Sequence, residues 1–443
     1  MMGDSIDNFH RRSLLRKSVV AGLSVDLIGT TTGSGQRKPD EDQYIVLAGS
    51  TDQTARLEHA GYEILHELAD GSVLIVQGPA GTVAELQSMV VVTSAVANQS
   101  VTVKPTGLGK DNSTEDETSP YKEQWSMEHI RAFDAHDIVT GKGTTIAVID
   151  TGVDHTHPDL KSQLDRDRSR LFRNGTIAAG VDTINLSTKL ESVERFVATD
   201  VNWHGSHVAG IATAPRNESG IVGVAPDAKL VSLRPFFLEK ANDYRLSGNS
   251  VDLLIAIDYA AKIGVDVANI SLVVTGRNPG SVARRRMFAA FNRVIQYAIE
   301  QGTTVVTAMG NQGLNMNEYP GYVLPASNPG TISVAAVDET DTRRDDSNFG
   351  DSTTTVAAPG EQILSTVPEE LSPQRYSYTS QTSVAAPHVA GLACLVRELN
   401  PDIHPRKITQ AIQKGAVPLT GDGTTGLGAG RIDARTTIDY LNQ

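Results

Sequence analysis

Short apolar runs alternate with segments of helical periodicity along most of the chain. In residues 121–443 helices are predicted at 249–263, 283–300 and 382–399, and strands at 145–149, 229–233, 265–274, 303–308, 331–337 and 354–357. Strands that alternate with helices in this way predict a parallel sheet covered on both faces. The expected fold class is therefore α/β, with three layers and a mostly parallel sheet.

A smaller pattern precedes this region. Between residues 42 and 103 the predicted order of elements is β-α-β-β-α-β, with helices at 55–60 and 82–89 and strands at 44–47, 62–68, 73–77 and 95–103. That order is typical of a split βαβ, ferredoxin-like α+β domain. Because this topology hosts many unrelated functions, the order by itself leaves the role of the domain open.

Two segments lack such a pattern. Residues 104–120 are rich in Thr, Ser, Gly, Asp and Glu, which predicts a flexible exposed linker of the kind that proteases cut. Residues 1–38 contain the basic stretch His-Arg-Arg-Ser-Leu-Leu-Arg-Lys at 10–17, followed by a short, weakly apolar run. The stretch resembles a twin-arginine export leader. Asp26 interrupts the apolar run, so a disordered basic leader is the alternative interpretation.

Length, charge and cysteine content narrow the class of protein. The chain has 443 residues, of which 39% are apolar, enough for one large domain with smaller additions. A formal net charge of -13 argues against nucleic acid or an anionic membrane surface as a partner. No stretch reaches the roughly 18 apolar residues of a membrane span. The single cysteine, Cys394, cannot form an intrachain disulfide, so an extracellular form needs another source of stability, such as a bound ion.

Three separated motifs carry candidate chemistry. Asp150 lies in Ile-Asp-Thr-Gly-Val-Asp, His204 opens His-Gly-Ser-His-Val-Ala-Gly, and Ser383 lies in Gln-Thr-Ser-Val-Ala-Ala-Pro-His. A serine hydroxyl becomes a nucleophile when a neutral imidazole takes its proton and a carboxylate orients that imidazole. Asp150 directly follows a predicted strand, at the edge of the sheet where sites in parallel sheets usually lie. No second Asp-Thr-Gly is present to form an aspartic protease dyad.

The chain order Asp, His, Ser separates this arrangement from the other folds that use the same triad. On these motifs, residues 121–443 resemble a subtilisin-type serine protease. The resemblance implies a subtilisin-like fold with a seven-stranded, mostly parallel sheet, and a secreted endopeptidase activity. It implies Asp150 as the orienting acid, His204 as the base and Ser383 as the nucleophile. Asn311, which ends an apolar run, resembles the family asparagine that donates to the oxyanion.

Further residues follow from the same resemblance. His207 and Ser380 are predicted to be structural neighbours of the triad. Substrate is expected to pair as an added strand with two segments, and the residues implied for this are Ser247, Gly248, Ser271, Leu272, Val273 and Gly310. A calcium site is implied at Asp159 and Asn217, with backbone carbonyls of Pro215, Ser219 and Ile221. No organic cofactor is implied.

The resemblance also gives the smaller segments a role. Residues 39–103 resemble the propeptide that assists folding of such proteases and inhibits them, with the processing site expected in 104–120. The prediction is a self-processed zymogen that becomes a monomeric extracellular endopeptidase, exported by the twin-arginine route, with protein or peptide substrates. If the leader is not removed, the enzyme is expected to stay inside the cell.

Three features depart from the family pattern. Gln381 and Val273 stand where glycine is usual, so strain beside the nucleophile is expected if position 381 needs a positive φ, and a narrower pocket is expected at Val273. Residues 161–200 form an insertion that is expected to be an exposed excursion. These departures leave one alternative function, a catalytically impaired subtilisin fold that binds peptides. The presence of the whole triad with Asn311 favours the enzyme.

Overall fold

The computed structural model describes residues 25–26, 41–48, 53–103, 123–184, 193–217, 220–239, 245–275, 281–421 and 423–442. The predicted linker lies outside the described residues, and so does the predicted leader apart from Val25–Asp26. Within the described ranges, no helix combines the length and apolar character needed to cross a membrane.

The strands, in chain order, are β1 Val25–Asp26, β2 Glu41–Ala48, β3 Glu63–Leu68, β4 Val73–Pro79, β5 Val92–Ala97, β6 Ser100–Val103, β7 Thr145–Ile149, β8 Arg170–Arg173, β9 Thr176–Ala178, β10 Val181–Ile184, β11 Val193–Phe196, β12 Lys229–Arg234, β13 Phe237–Glu239, β14 Arg245–Asn249, β15 Val267–Ile270, β16 Val274–Thr275, β17 Thr304–Ala308, β18 Ile332–Val337, β19 Val356–Pro359, β20 Ile363–Thr366 and β21 Tyr376–Thr379. The helices are α1 Gln53–His59, α2 Val83–Ser88, α3 Trp125–His129, α4 Ala132–Ala135, α5 His204–Thr213, α6 Ser250–Lys262, α7 Val282–Glu300, α8 Thr382–Leu399, α9 Pro405–Gly415 and α10 Ala434–Leu441.

Residues 41–97, called the N-terminal unit below, fold as one antiparallel sheet with two helices. The strand order is β3-β4-β2-β5, which is the order of a ferredoxin-like sheet. Side chains of Tyr44, Leu74 and Leu86 are fully buried between the sheet and its helices. The elements follow one another in the β-α-β-β-α-β order that the sequence predicts.

The strand predicted at residues 95–103 is wrong, because this stretch forms two strands. β5 pairs with β2 inside the N-terminal unit, whereas β6 leaves the unit and pairs antiparallel with β14. Asn98 separates the two strands: its backbone N–H donates to Gln43 and its side chain reaches Asn249 at 3.1 Å. The periodicity of a single sequence cannot show such a change of partner.

Residues 123–442, called the main unit below, are built on an eight-stranded sheet. Its order is β19-β18-β17-β15-β7-β12-β8-β9. The first seven strands of that order are parallel, and β9 is antiparallel to β8. On β7, Ile146 and Val148 pack with α5 and α8, while Ala147 and Ile149 pack with α6 and α7. The predicted α/β fold with a mostly parallel sheet is confirmed, although the sheet has eight strands and not the seven expected.

The insertion at 161–200 is not an exposed excursion throughout, so that expectation is wrong in part. β8 joins the edge of the main sheet beside β12, and Phe172 is fully buried. Asn174 and Gly175 connect β8 to β9 and both have positive φ, 52° and 79°. An Asn-Gly pair between two short strands is the usual signal for such a two-residue turn. The insertion therefore contains a β-hairpin fixed to the sheet.

The N-terminal unit packs on helices α6 and α7 of the main unit. The backbone N–H of Ala69 donates to Asp258 at 2.8 Å, and Arg293 donates to the carbonyl of Ser72 at 2.8 Å. β6, which follows the unit in the chain, pairs with β14 of the main unit. Elsewhere in the described part of the chain, β1 pairs in parallel with β16.

Candidate active site

The three motif residues meet at the carboxyl-terminal edge of the main sheet. Asp150 follows β7, His204 is the first residue of α5, and Ser383 is the second residue of α8. Nδ1 of His204 lies 2.8 Å from Oδ1 of Asp150, and Nε2 lies 2.8 Å from Oγ of Ser383. Asp150 and His204 are fully buried and Ser383 is 2% exposed. The tertiary fold thus joins residues far apart in sequence into one chain of hydrogen bonds.

The predicted oxyanion donor is held in a fixed orientation by the residue before the serine. Oδ1 of Asn311 accepts hydrogen bonds from the backbone N–H and the hydroxyl of Thr382, both at 2.8 Å. The same hydroxyl accepts the N–H of Gly310 at 3.0 Å. Because the oxygen end of the amide is engaged, Nδ2 is the end that can donate elsewhere. The N–H of Ser383 lies in the first turn of α8, where intrahelical acceptors are lacking.

A buried carboxylate behind the triad was missed by the sequence reasoning. Asp200 accepts hydrogen bonds from the hydroxyl of Thr151 at 2.8 Å and from the N–H and hydroxyl of Ser206 at 2.8 and 2.6 Å. Since Thr151 follows Asp150 and Ser206 follows His204 by two residues, Asp200 ties the two catalytic segments together. Burial raises the pKa of the Asp200 carboxyl, and its hydrogen bonds act in the opposite direction. Its place four residues before the base was the only sequence signal.

His207 and Ser380 lie close to the triad in sequence but not in its hydrogen-bond chain. Nε2 of His207 lies 3.0 Å from the carbonyl oxygen of Ser377, and burial lowers its pKa to about 3, so the ring is neutral near pH 7. The hydroxyl of Ser380 accepts the N–H of Gln362 at 2.9 Å. Both side chains therefore have structural partners.

One of the two segments predicted to bind substrate already has a strand beside it. Ser247 and Gly248 lie in β14, opposite Thr102 and Val101 of β6. The edge at which an extended substrate is expected to pair is thus covered by a segment of this same chain.

The second segment contacts the backbone of the nucleophile. The hydroxyl of Ser271 donates to the carbonyl oxygen of Ser383 at 2.7 Å, and Leu272 and Val273 follow it, both buried. Gly310 has φ of 95°, and a Cβ atom at that position would lie 2.8 Å from Cγ2 of Val273. Val273 therefore reaches across to Gly310, which narrows the space between the two predicted pocket walls.

The strain expected at Gln381 is absent. Its φ is -176° and its ψ is 169°, an extended conformation that any residue adopts. The reason is its position as the residue that precedes α8, where extended backbone is the rule. Its N–H donates to the carbonyl of Gly360 at 2.8 Å, and its side chain is fully buried.

The residues predicted to hold calcium lie together in part. Oδ1 of Asp159 accepts a hydrogen bond from Nδ2 of Asn217 at 2.8 Å. Oδ2 accepts the hydroxyl of Tyr376 at 2.7 Å and the N–H of Ile221 at 3.1 Å. Pro215 belongs to the same loop, whereas Ser219 lies outside the described residues.

The oxygen donors of this loop are of the kinds that calcium binds. Gly220 has φ of 110°, and a Cβ atom there would lie 2.3 Å from Oδ2 of Asp159, so glycine lets the backbone close on the carboxylate. Carboxylate, amide and backbone carbonyl oxygens are the ligands that calcium prefers. The amide of Asn217 offers its oxygen when it turns about its terminal bond. Among the described residues no group of three His, Cys, Asp or Glu could hold a metal, so an ion bound here would depend on backbone carbonyls.

The fold and the Asp–His–Ser arrangement together define a serine endopeptidase. The family model described as "Subtilase family" matches residues 141–433. The chain is 33% identical over 318 residues to thermitase of Thermoactinomyces vulgaris, which covers 72% of this chain and 96% of that protein. The chain therefore belongs to the subtilase family.

Further relatives are longer than the matched region. The chain is 35% identical over 308 residues to the thermophilic serine proteinase of Bacillus sp. strain AK1, covering 69% of this chain and 64% of that protein. It is 31% identical over 339 residues to the extracellular protease of Xanthomonas campestris pv. campestris, covering 71% and 55%. The crystal structure of the epidermin leader peptide processing serine protease of Staphylococcus aureus has the same fold, with a TM-score of 0.68 at 22% identity, covering 91% of this chain and 99% of that one.

Proposed function

We propose that this chain is a secreted serine endopeptidase, made as a self-processed zymogen, that hydrolyses peptide bonds through an acyl-enzyme on Ser383. The observation that carries the proposal is the unbroken hydrogen-bond chain from Asp150 through His204 to Ser383, at 2.8 Å for each step. No observation favours the peptide-binding alternative, because the triad is assembled and Gln381 is unstrained.

The proposed reaction has two halves. Oγ of Ser383 attacks the substrate carbonyl carbon while Nε2 of His204 takes the hydroxyl proton, and Asp150 stabilises the imidazolium without becoming protonated. The oxyanion accepts hydrogen bonds from Nδ2 of Asn311 and the N–H of Ser383. His204 then gives its proton to the leaving amine as the carbon–nitrogen bond breaks. In the second half, His204 takes a proton from water, the hydroxide attacks the ester, and Ser383 regains its proton.

The substrate is proposed to bind as an extended strand between β14 and residues 271–273. Ser247 and Gly248 pair with its backbone on one side, and Ser271, Leu272 and Val273 line the other. The pairing of β6 with β14 supports this position, since it shows that the edge accepts an antiparallel strand.

The same pairing supports a role for the N-terminal unit as an intramolecular inhibitor. β6 lies where substrate would lie, and residues 104–120, the proposed site of processing, come directly after it. An N-terminal unit that is covalently attached is present at a high effective concentration, and it loses this advantage once the chain is cut. Cleavage therefore lets the unit dissociate and exposes β14.

The leader is proposed to export the protein. The twin-arginine-like leader at 1–38 would direct the folded chain out of the cell, and one relative is named an extracellular protease.

Asp159 and Asn217 would hold a calcium ion, with carbonyls of Pro215, Ser219 and Ile221. An ion bound only by the folded chain adds stability that a chain with one cysteine cannot obtain from disulfides. The mature enzyme is proposed to act as a monomer on protein or peptide substrates.

The test compares the full-length chain with its Ser383→Ala variant. We expect the wild type to lose its leader and N-terminal unit, and Ser383→Ala to stay full length, as read by intact mass and N-terminal sequencing. A fluorophosphonate probe should label the processed wild type and not the variant. If neither chain is cut, and the wild type stays unlabelled after another protease has removed the N-terminal unit, the endopeptidase proposal is wrong.

A further inference from the structure

A ring of hydrogen bonds joins the N-terminal unit to the tip of the β8–β9 hairpin. Nε2 of Gln43 donates to the carbonyl of Asn174 at 2.7 Å, and Oε1 of Gln43 accepts Nδ2 of Asn98 at 3.0 Å. The same Nδ2 donates to Oδ1 of Asn249 at 3.1 Å, and Nδ2 of Asn249 donates to Asp252 at 2.5 Å. Asp252 accepts the N–H of Asn174 at 2.8 Å, which closes the ring.

The hairpin turn presents its two sides to different parts of the molecule. Both of its N–H groups donate to Asp252, that of Gly175 at 2.7 Å, so the turn is fixed to the start of α6. Both of its carbonyls face the N-terminal unit, where Nε2 of His66 donates to Gly175 at 2.6 Å. A Cβ atom at Gly175 would lie 2.8 Å from Nε2 of Gln43 and 3.2 Å from Cδ1 of Leu65. The contact is therefore close and depends on glycine.

The ring is largely shielded from water, so it favours an N-terminal unit that supplies all of its hydrogen bonds. Gln43 is 2% exposed, Asn249 is 7% exposed and Asp252 is fully buried. A polar group that loses its partner in such a place pays the full desolvation penalty, whereas a ring with every member satisfied does not. An N-terminal unit without the amides of Gln43 and Asn98 would leave the turn carbonyl and Asn249 without these donors. The hairpin would therefore bind such a unit less tightly, because buried polar groups would be left without partners.

The ring also lies at the point where β6 begins. Asn98 is the first of the two residues between β5 and β6, where the chain changes its strand partner, and Asn249 is the last residue of β14, opposite Ser100. Holding Asn98 against Asn249 fixes the register in which β6 pairs with β14. A one-residue slip there would change every residue pair between β6 and β14.

We propose that the β8–β9 hairpin is a recognition surface for the N-terminal unit of this chain, which selects that unit and sets the register of β6 on β14. The proposal rests on the proposed zymogen function and deepens it. It assigns to the insertion a role in inhibition, separate from the triad. Variants of the hairpin should therefore change the release of inhibition and leave the activity of the released enzyme unchanged.

The test follows the onset of peptidase activity in the full-length chain with a chromogenic peptide substrate. Gly175→Asn adds a side chain towards Gln43 and Leu65, and Asn tolerates positive φ better than other side chains. Asn174→Gly is the matched control, since it keeps the turn and adds no bulk. We expect Gly175→Asn to shorten the lag about fivefold or more, the effect of losing one buried hydrogen bond. Asn174→Gly should keep the wild-type lag, and the final kcat/KM should be the same in all three chains.

A second variant tests the ring from the opposite side. Gln43→Leu should also shorten the lag, and its combination with Gly175→Asn should shorten it by less than the product of the two single effects, because both remove the same contact. If Gln43→Leu unfolds the N-terminal unit, Gly175→Asn still tests the proposal, since it lies in the main unit.

The outcomes separate the two proposals. A wild-type lag in Gly175→Asn, or an equal shortening in Asn174→Gly, overturns the role of the hairpin while the endopeptidase proposal stands. If the wild-type chain never becomes active, and is labelled by a fluorophosphonate no better than Ser383→Ala, the proposed function fails and the role of the hairpin fails with it.

Discussion

At the scale of single residues, neighbours of the motif residues decide whether the motifs form a working site. Thr382 holds the amide of Asn311 with its oxygen turned inward, and Asp200 joins the segments that carry Asp150 and His204. Neither residue reacts with substrate in the proposed mechanism. Their contribution is positional, and small displacements of reacting groups are costly in an enzyme.

Val273 is the residue from which a substrate preference follows. It belongs to a buried apolar cluster with Met309 and Val323, and it reaches across to Gly310 beside the oxyanion asparagine. We expect the pocket for the residue before the scissile bond to accept small side chains. Val273→Gly should raise kcat/KM for a Phe or Leu substrate relative to an Ala substrate by roughly 10 to 200-fold, the effect of about one methylene in an apolar pocket.

The measurement is the ratio of kcat/KM values in a peptide series that differs only at that residue. Val323→Ala, in the same buried cluster as Val273 but outside the segments proposed to bind substrate, serves as a control for nonspecific loosening and should not reproduce the change in ratio. An unchanged ratio in Val273→Gly would contradict the narrowed pocket.

At the scale of elements, helices and strands were easier to predict than the way in which they pair. The long helices α6, α7 and α8 and most central strands agree with their apolar patterns to within a few residues. The strand predicted at 265–274 is wrong in part, because residues 271–273 belong to neither β15 nor β16. Helices α3, α4 and α9 were not predicted, and α3 and α4 are too short to show a helical period. The β8–β9 hairpin was predicted to belong to an exposed excursion, because Leu171 and Phe172 are a short apolar pair among charged residues. These two side chains are buried where β8 pairs with β12.

The loop that closes on Asp159 is the element whose stability should depend on calcium. We expect a chelator to lower the melting temperature of the Ser383→Ala chain and added calcium to restore it, because binding to the folded state alone contributes about 2.7 kcal/mol at a hundredfold excess over Kd. Asp159→Asn should abolish this response. The measurement is thermal unfolding by circular dichroism with and without the chelator.

Asp137→Asn, at an exposed position, is the matched control and should keep the calcium response. A melting temperature that ignores the chelator in the unaltered loop would show that the hydrogen bonds of Tyr376 and Asn217 hold Asp159 without an ion.

At the scale of the whole molecule, buried histidines should make stability depend on pH. Burial lowers the pKa of His207 to about 3 and of His388 to about 4, from an ordinary value near 6.5. Below pH 6.5 the unfolded chain therefore binds protons that the folded chain does not bind. The free energy of unfolding therefore has its full value above pH 6.5. It falls as the pH falls towards 4, the pKa of His388 in the folded chain, and then towards 3, that of His207.

Each of the two histidines should lower the free energy of unfolding by up to about 1.4 kcal/mol per pH unit within its own window. Urea unfolding of the Ser383→Ala chain, at fixed calcium and several pH values, measures the slope. His388→Gln should reduce the slope between pH 6.5 and 4. An equal slope in His388→Gln and its parent would contradict a neutral buried His388.

The sequence by itself determined the fold class and the reacting groups of this protein. Both can be read from short segments of the sequence. Buried parallel strands are continuous apolar runs, and Asp150, His204 and Ser383 each lie in a short motif whose chain order separates one triad fold from another. The ferredoxin-like order of the N-terminal unit was readable for the same reason, because each of its elements has its own period.

Only the tertiary structure decided which segments meet. Four features depend on residues that are far apart in the chain. They are the change of strand partner at Asn98, the pairing of β8 with the main sheet, the hydrogen bonds of Asp200 and the ring at the hairpin tip. The φ of Gln381 was likewise set by the helix that follows it. Hydrogen-bond partners and register are properties of two segments at once, and the period of one segment contains no information about the other.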